Sequence, residues 1–299
     1  MFNKLVVALM PLAPRAIVKM ISKRYIAGMD AAAAIAKCQD LKDSGFLTTM
    51  DILGEAVTTE TQAAEALDSY LALISEVSQS GIEKNISLKP TALGLAVSEE
   101  LALQNISSIV TKAKQAGIFI RLDMEDSPYT SKTLRMYEQL RADYPHMGTV
   151  IQAYMHRSLD DVKSIAAHGG NLRICKGIYK ESPKIAYQDK NEIRENYLKL
   201  LATMFSNNAY VGIATHDHYL IDQSLQMIED MDIAADRYEF QALLGVPIVD
   251  RLTELIHDNH RVRIYVPFGV DWYAYSSRRL KENPDIAGYV LKNIFQWAS

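Results

Sequence analysis

Residues 117–129 read GIFIRLDMEDSPY. The run 118–123 is too short for a helix and rich in β-prone side chains, so it reads as one buried strand. Helical periodicity fills the segments on both sides, 98–115 and 130–143. Ser98 followed by Glu99 and Glu100 marks the start of the first helix, and Gly117 suits its end. The strand closes on Asp123, with Glu125 and Asp126 directly behind it. A helix, a turn, a strand, a polar loop and a second helix make one βα unit. The fold depends on how often that unit recurs.

It recurs along the whole chain. Further β-prone runs fall near 46–52, 85–89, 148–153, 171–176, 209–214, 237–241 and 261–266. Helical patterns near 60–79, 158–167, 190–206, 218–230, 247–257 and 271–281 alternate with them. Thr58 to Thr61, and Ser158 with Asp160 and Asp161, are further helix-start signals, and Gly81 suits a turn after a helix. About eight such units predict an α/β protein, a (β/α)8 barrel. An open doubly wound sheet is the competitor, but its usual Gly-rich first turn, G-x-G-x-x-G, does not occur. Residues 1–43 are then a helical N-terminal extension and 44–299 the barrel, with no Gly/Ser-rich or Pro-rich linker between them.

Composition limits the partners. The 299 residues carry a net charge of -4, with 48% hydrophobic and 23% charged residues, which suits a globular domain with a sizeable core. A slightly acidic chain lacks the clustered Lys and Arg of a nucleic-acid surface. The two cysteines, Cys38 and Cys175, are no disulfide framework and suit a reducing, cytoplasmic setting. No apolar run approaches the length of about 18 residues that a spanning helix needs. The N-terminal segment mixes the apolar run Leu5–Met10 with Lys19, Lys23 and Arg24, which reads as an amphipathic helix packed on the domain or resting on a membrane surface.

In a barrel of this kind, functional residues sit at the C-terminal ends of strands and in the loops that follow. Those positions are unusually polar here. They hold Lys89, Asp123 with Glu125 and Asp126, Gln152 with Tyr154, Arg173 with Lys176, Thr215-His216-Asp217, Glu239 with Gln241, and Tyr265. Arg278 and Arg279 follow in the last helical pattern, near Tyr273 and Tyr275. So many cations predict an anionic ligand, and a pair of arginines suits a carboxylate.

Each residue also has a plain structural reading. Lys89 before Pro90 ends a strand in water, Asp126 and Ser127 cap a helix, and one of the two arginines is solvated while the other is buried. Cys175 is a packed strand residue. His216 and His218 in THDH are two apart on a loop, which is weak spacing for zinc, and no metal is expected. A buried Lys89 or Lys176 would also serve a Schiff-base lyase.

Taken in order, SLKPTALG, RLDMED, VIQAY, RICKGIYKE, IATHD, YEFQALLG, RIYVPFG and YSSRRLKEN resemble the successive motifs of the proline dehydrogenases. The likeness runs from about residue 20 to 283, one motif at nearly every strand end, and is to the single-function form of the family. It implies FAD as cofactor, L-proline as substrate and Δ1-pyrroline-5-carboxylate as product, on the way to glutamate. Electrons would pass to a quinone, with peripheral contact at the inner face of the membrane aided by the N-terminal segment. Undiminished activity with membrane quinone after removal of residues 1–20 would sink that last expectation.

The resemblance also implies residue roles. Lys89, Arg278 and Arg279 would hold the proline carboxylate, with Glu282 pairing one of the cations. Leu243, Tyr265 and Tyr275 would surround the ring. Asp123 and Arg173 would be the catalytic pair, Arg173 against the flavin. Met124, Gln152, Lys176, Gly177, Ile178, Thr215 and His216 would contact FAD, Gly177 by letting backbone come close. Two positions depart from the pattern. Ile178 stands where the family commonly has Ala, which bears on the choice among proline, hydroxyproline and other cyclic amino acids. Asp217 stands where Asn is frequent, and a carboxylate there must point away from flavin phosphates.

Overall fold

The computed structural model describes residues 24–54 and 56–273. Its centre is a closed barrel of parallel strands in sequence order, β1 (Leu47–Ile52), β2 (Asn85–Leu88), β3 (Phe119–Leu122), β4 (Met147–Gln152), β5 (Asn171–Cys175), β6 (Tyr210–Ala214), β7 (Tyr238–Leu243) and β8 (Val262–Phe268), and β8 pairs with β1 to close it. Outside lie α1 (Ala31–Asp43), α2 (Glu60–Gln79), α3 (Glu99–Ala116), α4 (Ser127–Asp143), α5 (Ser158–Ala167), α6 (Lys190–Ser206), α7 (His218–Asp230) and α8 (Val249–His257). The fold is the (β/α)8 barrel read from the alternating pattern, and every expected strand is present.

Strand alternation sets the two environments. On β3, Ile120 and Leu122 are fully buried, as are Leu172 and Ile174 on β5, and they belong to the apolar core that also takes in the helices. Each such side chain contributes about 1.5–3 kcal/mol by leaving water. Their neighbours Arg121 and Arg173 reach polar partners on other strands. Side chains of non-adjacent strands can meet only in the lumen, so the polar set points inward. The barrel is thus held from outside by aliphatic packing and filled inside by charge pairs. One of these holds the buried Glu239, clasped by Arg263 through bonds of 2.8 and 2.9 Å. Burial opposes its ionisation, but Arg263 and then Arg121 outweigh burial and hold it down at about 2.

Helix ends follow local chemistry. The Ser98 hydroxyl accepts from the Leu101 N–H at the start of α3, and Gly117 ends that helix in the left-handed region. Thr59 caps α2 by accepting from Gln62 N–H. Ser158 opens α5, yet its hydroxyl donates to the Met155 carbonyl instead of capping. The start of α4 is satisfied from a distance: Ser127 N–H and hydroxyl donate to Glu181, at 2.7 and 2.8 Å. Glu181 lies in the loop after β5, so this contact also ties down that loop.

Helix α1 packs against β1, β8 and α2. It occupies the outer position at the β8–β1 seam, where a regular barrel places the helix that follows its last strand. Among the described residues no helix is long and apolar enough to cross a membrane.

Candidate active site

Four sequence-predicted residues meet at the C-terminal mouth. Arg173 donates from Nη1 to Asp123 Oδ1 at 2.7 Å. Tyr265 donates from its hydroxyl to the other oxygen of the same carboxylate at 2.8 Å. Lys89 donates to the Tyr265 oxygen at 3.3 Å and forms a short ion pair with Asp51. The Arg173 guanidinium lies 5.1 Å from the centre of the Tyr265 ring, a cation–π distance that fixes the ring below it. Side chains from β1, β5 and β8, with Lys89 just beyond β2 and Asp123 just beyond β3, therefore form one continuous network.

The electrostatics assign its protons. Burial alone would push the Lys89 ammonium down, but Asp51 and then Asp123 outweigh it, and the net shift is upward. Lys89 is a fixed cation. A Schiff-base lysine needs its amine free, so this geometry speaks against the lyase reading for Lys89. Burial, followed by the Asp123 and Asp51 charges, pushes the Tyr265 phenol well up, so it remains a donor. Asp51, 0% exposed, is the residue that sequence reasoning missed. The signal was present, because it is an acid at the end of the first β-run.

A second group of predicted residues lines the adjoining rim over β4, β5 and β6. Gln152 donates to the Glu125 carbonyl at 2.9 Å, and Glu125 in turn accepts from Thr91 N–H at 2.9 Å and from its hydroxyl at 2.5 Å. Met124 is buried beside them. Thr215 accepts from Asp217 N–H at 3.1 Å. His216 accepts from Leu243 N–H through Nε2 at 3.1 Å, which places the proton of the neutral ring on Nδ1. The same bond ties Leu243, at the end of β7, to this rim. Ile178, in the loop after β5, is 48% exposed.

Gly177 has φ +112°, and a Cβ there would fall 2.2 Å from the Tyr154 ring. The glycine is required by backbone conformation and by Tyr154. Asp217 is engaged by cations of its own chain. Arg194 of α6 holds it through two bonds of 2.9 and 2.7 Å, and Lys176 approaches it to 3.2 Å. Burial pulls its carboxyl up, but Arg194 and Lys176 prevail and bring it down to about 2. Lys176 therefore already has one anionic partner. Among the described residues no three His, Cys, Asp or Glu side chains gather as a metal site would need. Tyr275, Arg278, Arg279 and Glu282 lie outside the described residues.

Residues 34–291 match the family model described as proline dehydrogenase. The chain belongs to the proline dehydrogenase family. It is similar to proline dehydrogenase 1 of Bacillus subtilis subsp. natto, 35% identical over 275 residues that cover 92% of this chain and 91% of that protein. It is also similar to the proline dehydrogenase of Deinococcus radiodurans, 35% identical over 281 residues and covering 92% and 90%. Proline utilization A from Bdellovibrio bacteriovorus superposes with a TM-score of 0.81 at 24% identity over 89% of this chain, which shows the shared barrel. The chain spans 33% of that longer protein. The mouth described above is thus the candidate active site of an oxidoreductase of this family.

Proposed function

We propose that the protein oxidises L-proline to Δ1-pyrroline-5-carboxylate, with FAD as its resident cofactor and a quinone as the next electron acceptor. The observation that carries this reading is the Lys89–Tyr265–Asp123–Arg173 network at the barrel mouth of a proline dehydrogenase family member. The donor set beside it fits a flavin nucleotide. Gln152, Arg173 and His216 supply polar groups, neutral and charged, for a polar ring system, and Lys176 supplies a cation for phosphates. Met124 and Ile178 supply apolar surface. Bound there, FAD provides a two-electron acceptor for the hydride that leaves the ring carbon next to nitrogen.

The chain's own residues bind and orient. An ammonium has three N–H donors, and Asp51 and Tyr265 take two of those of Lys89, which leaves one for the proline carboxylate. Arg278 and Arg279 complete the clamp. That binding is remote from the reacting carbon, so it positions the substrate without taking part in bond breaking. Tyr265 and Leu243 offer walls to the ring, and Tyr275 is a third residue assigned to it. Asp123 keeps Arg173 aimed. Ile178 stands on the loop where a larger or substituted ring would have to fit, which makes hydroxyproline or another cyclic amino acid the second reading. The N-terminal segment supplies the membrane contact, and the barrel works as residues 44–299 with residues 1–43 as its extension.

The clamp gives the test. Arg278→Ala and Arg279→Ala should each raise KM for L-proline about tenfold to a hundredfold, the range for a lost charged hydrogen bond. Flavin content should stay at the wild-type level. Unchanged KM in both variants would remove the carboxylate clamp from the reading.

A further inference from the structure

Arg173 is held by more than its ion pair. Its Nε donates across the lumen to Gln241 Oε1 at 2.6 Å, and Nη2 reaches Ser87 Oγ at 3.3 Å. With Asp123 on Nη1, each guanidinium nitrogen has its own acceptor, supplied by β7, β2 and the end of β3. Such a set leaves the planar group one orientation over the Tyr265 ring.

The Gln241 amide is fixed in its turn. While Oε1 faces Arg173, Nε2 donates to Glu239 Oε1 at 2.5 Å. Turned over, the amide would set N–H against guanidinium and oxygen against carboxylate, two repulsive contacts. Glu239 cannot swing away, because Arg263 grips both of its oxygens. The chain Arg263–Glu239–Gln241–Arg173 thus carries order from the barrel interior to the mouth.

Space for this amide comes from β6. A Cβ on Gly212 would lie 2.4 Å from Gln241 Nε2 and 2.9 Å from its Cδ. Gly212 is not among the glycines with positive φ, so its backbone does not demand glycine. The crossing amide does.

We propose that Gly212, Gln241 and Glu239 are positioning residues that aim the Arg173 guanidinium. The catalytic meaning of this rests on the proposed role of Arg173. Because the displaced atoms belong to the far end of a flexible side chain, Gly212→Ala should fold normally and turn the Gln241 amide out of place.

Two measurements on the flavin-loaded protein test the idea. The first is solvent exchange of the Arg173 Nε–H by NMR, slow in the wild type and at least tenfold faster in Gly212→Ala. The second is flavin reduction by L-proline without oxygen. Its limiting rate should fall at least tenfold in Gly212→Ala while KM changes less than threefold. In a Gln241→Ala background, where nothing is left to displace, adding Gly212→Ala should cost less than twofold more. Unaltered Nε–H exchange would overturn the proposal, and so would an equal rate loss in both backgrounds. If L-proline fails to reduce the wild-type flavin, the functional reading falls, and the exchange measurement still decides how Arg173 is placed.

Discussion

Replacement of Asp123 by alanine is expected to lower kcat/KM for L-proline at least a hundredfold. The carboxylate accepts from Arg173 on one oxygen and from Tyr265 on the other, at 2.7 and 2.8 Å. Its loss strands a guanidinium whose side chain is only 8% exposed. Removing one partner of a buried ion pair costs about 3–5 kcal/mol, and about 1.4 kcal/mol is a factor of ten. Part of that cost will appear as lower stability and part as a misplaced Arg173. Asp123→Asn keeps one oxygen acceptor and should recover part of the loss. Steady-state kinetics and urea unfolding of both variants separate the two effects. A kcat/KM within threefold of wild type for Asp123→Ala would take Asp123 out of the active site.

Lys89→Met should produce an enzyme that acid stabilises relative to wild type. The substitution keeps the length of the side chain and removes the charge. It leaves Asp51, fully buried, without its cation. Burial already pulls the Asp51 carboxyl upward with Lys89 present. In the variant its folded pKa should therefore stand well above the unfolded value of about 3.9. The folded state then binds the proton more tightly than the unfolded one, so the destabilisation is small below about pH 4 and grows as pH rises through the folded pKa. Urea midpoints at pH 5 and pH 8 should differ more in the variant than in the wild type, with the variant weaker at pH 8 by about 3–5 kcal/mol. Adding Asp51→Asn should restore the stability at pH 8 but not the affinity for L-proline. A variant whose deficit is the same at both pH values would show that Lys89 does not neutralise Asp51.

The strands were legible because the lumen is polar. In VRIYV and FIRL, alternate residues face opposite environments, so the period of two is explicit in the sequence. Lys89, Asp123, Arg173 and Tyr265 were legible because a barrel brings strand ends to one mouth. What the sequence hid were partners from afar. Arg194 on α6 holds Asp217, 23 residues away, and no local pattern marks it. Glu181 satisfies the start of α4 from 54 residues away, where Asp126 at the N-cap makes no side-chain bond. Gly177 was read as a place where backbone approaches a ligand, and its left-handed φ and the Tyr154 ring add a local reason for glycine that the sequence did not show. Gly212 carried no signal at all, since its reason is an amide crossing from β7.

The most direct test of the central claim is the absorbance spectrum of the purified protein between about 350 and 500 nm, before and after L-proline is added without oxygen. Bound FAD should give a band in that range, and L-proline should bleach it. Bleaching would establish cofactor and substrate together. A protein that shows no flavin band even after reconstitution with FAD, or whose band L-proline leaves intact, would contradict the account.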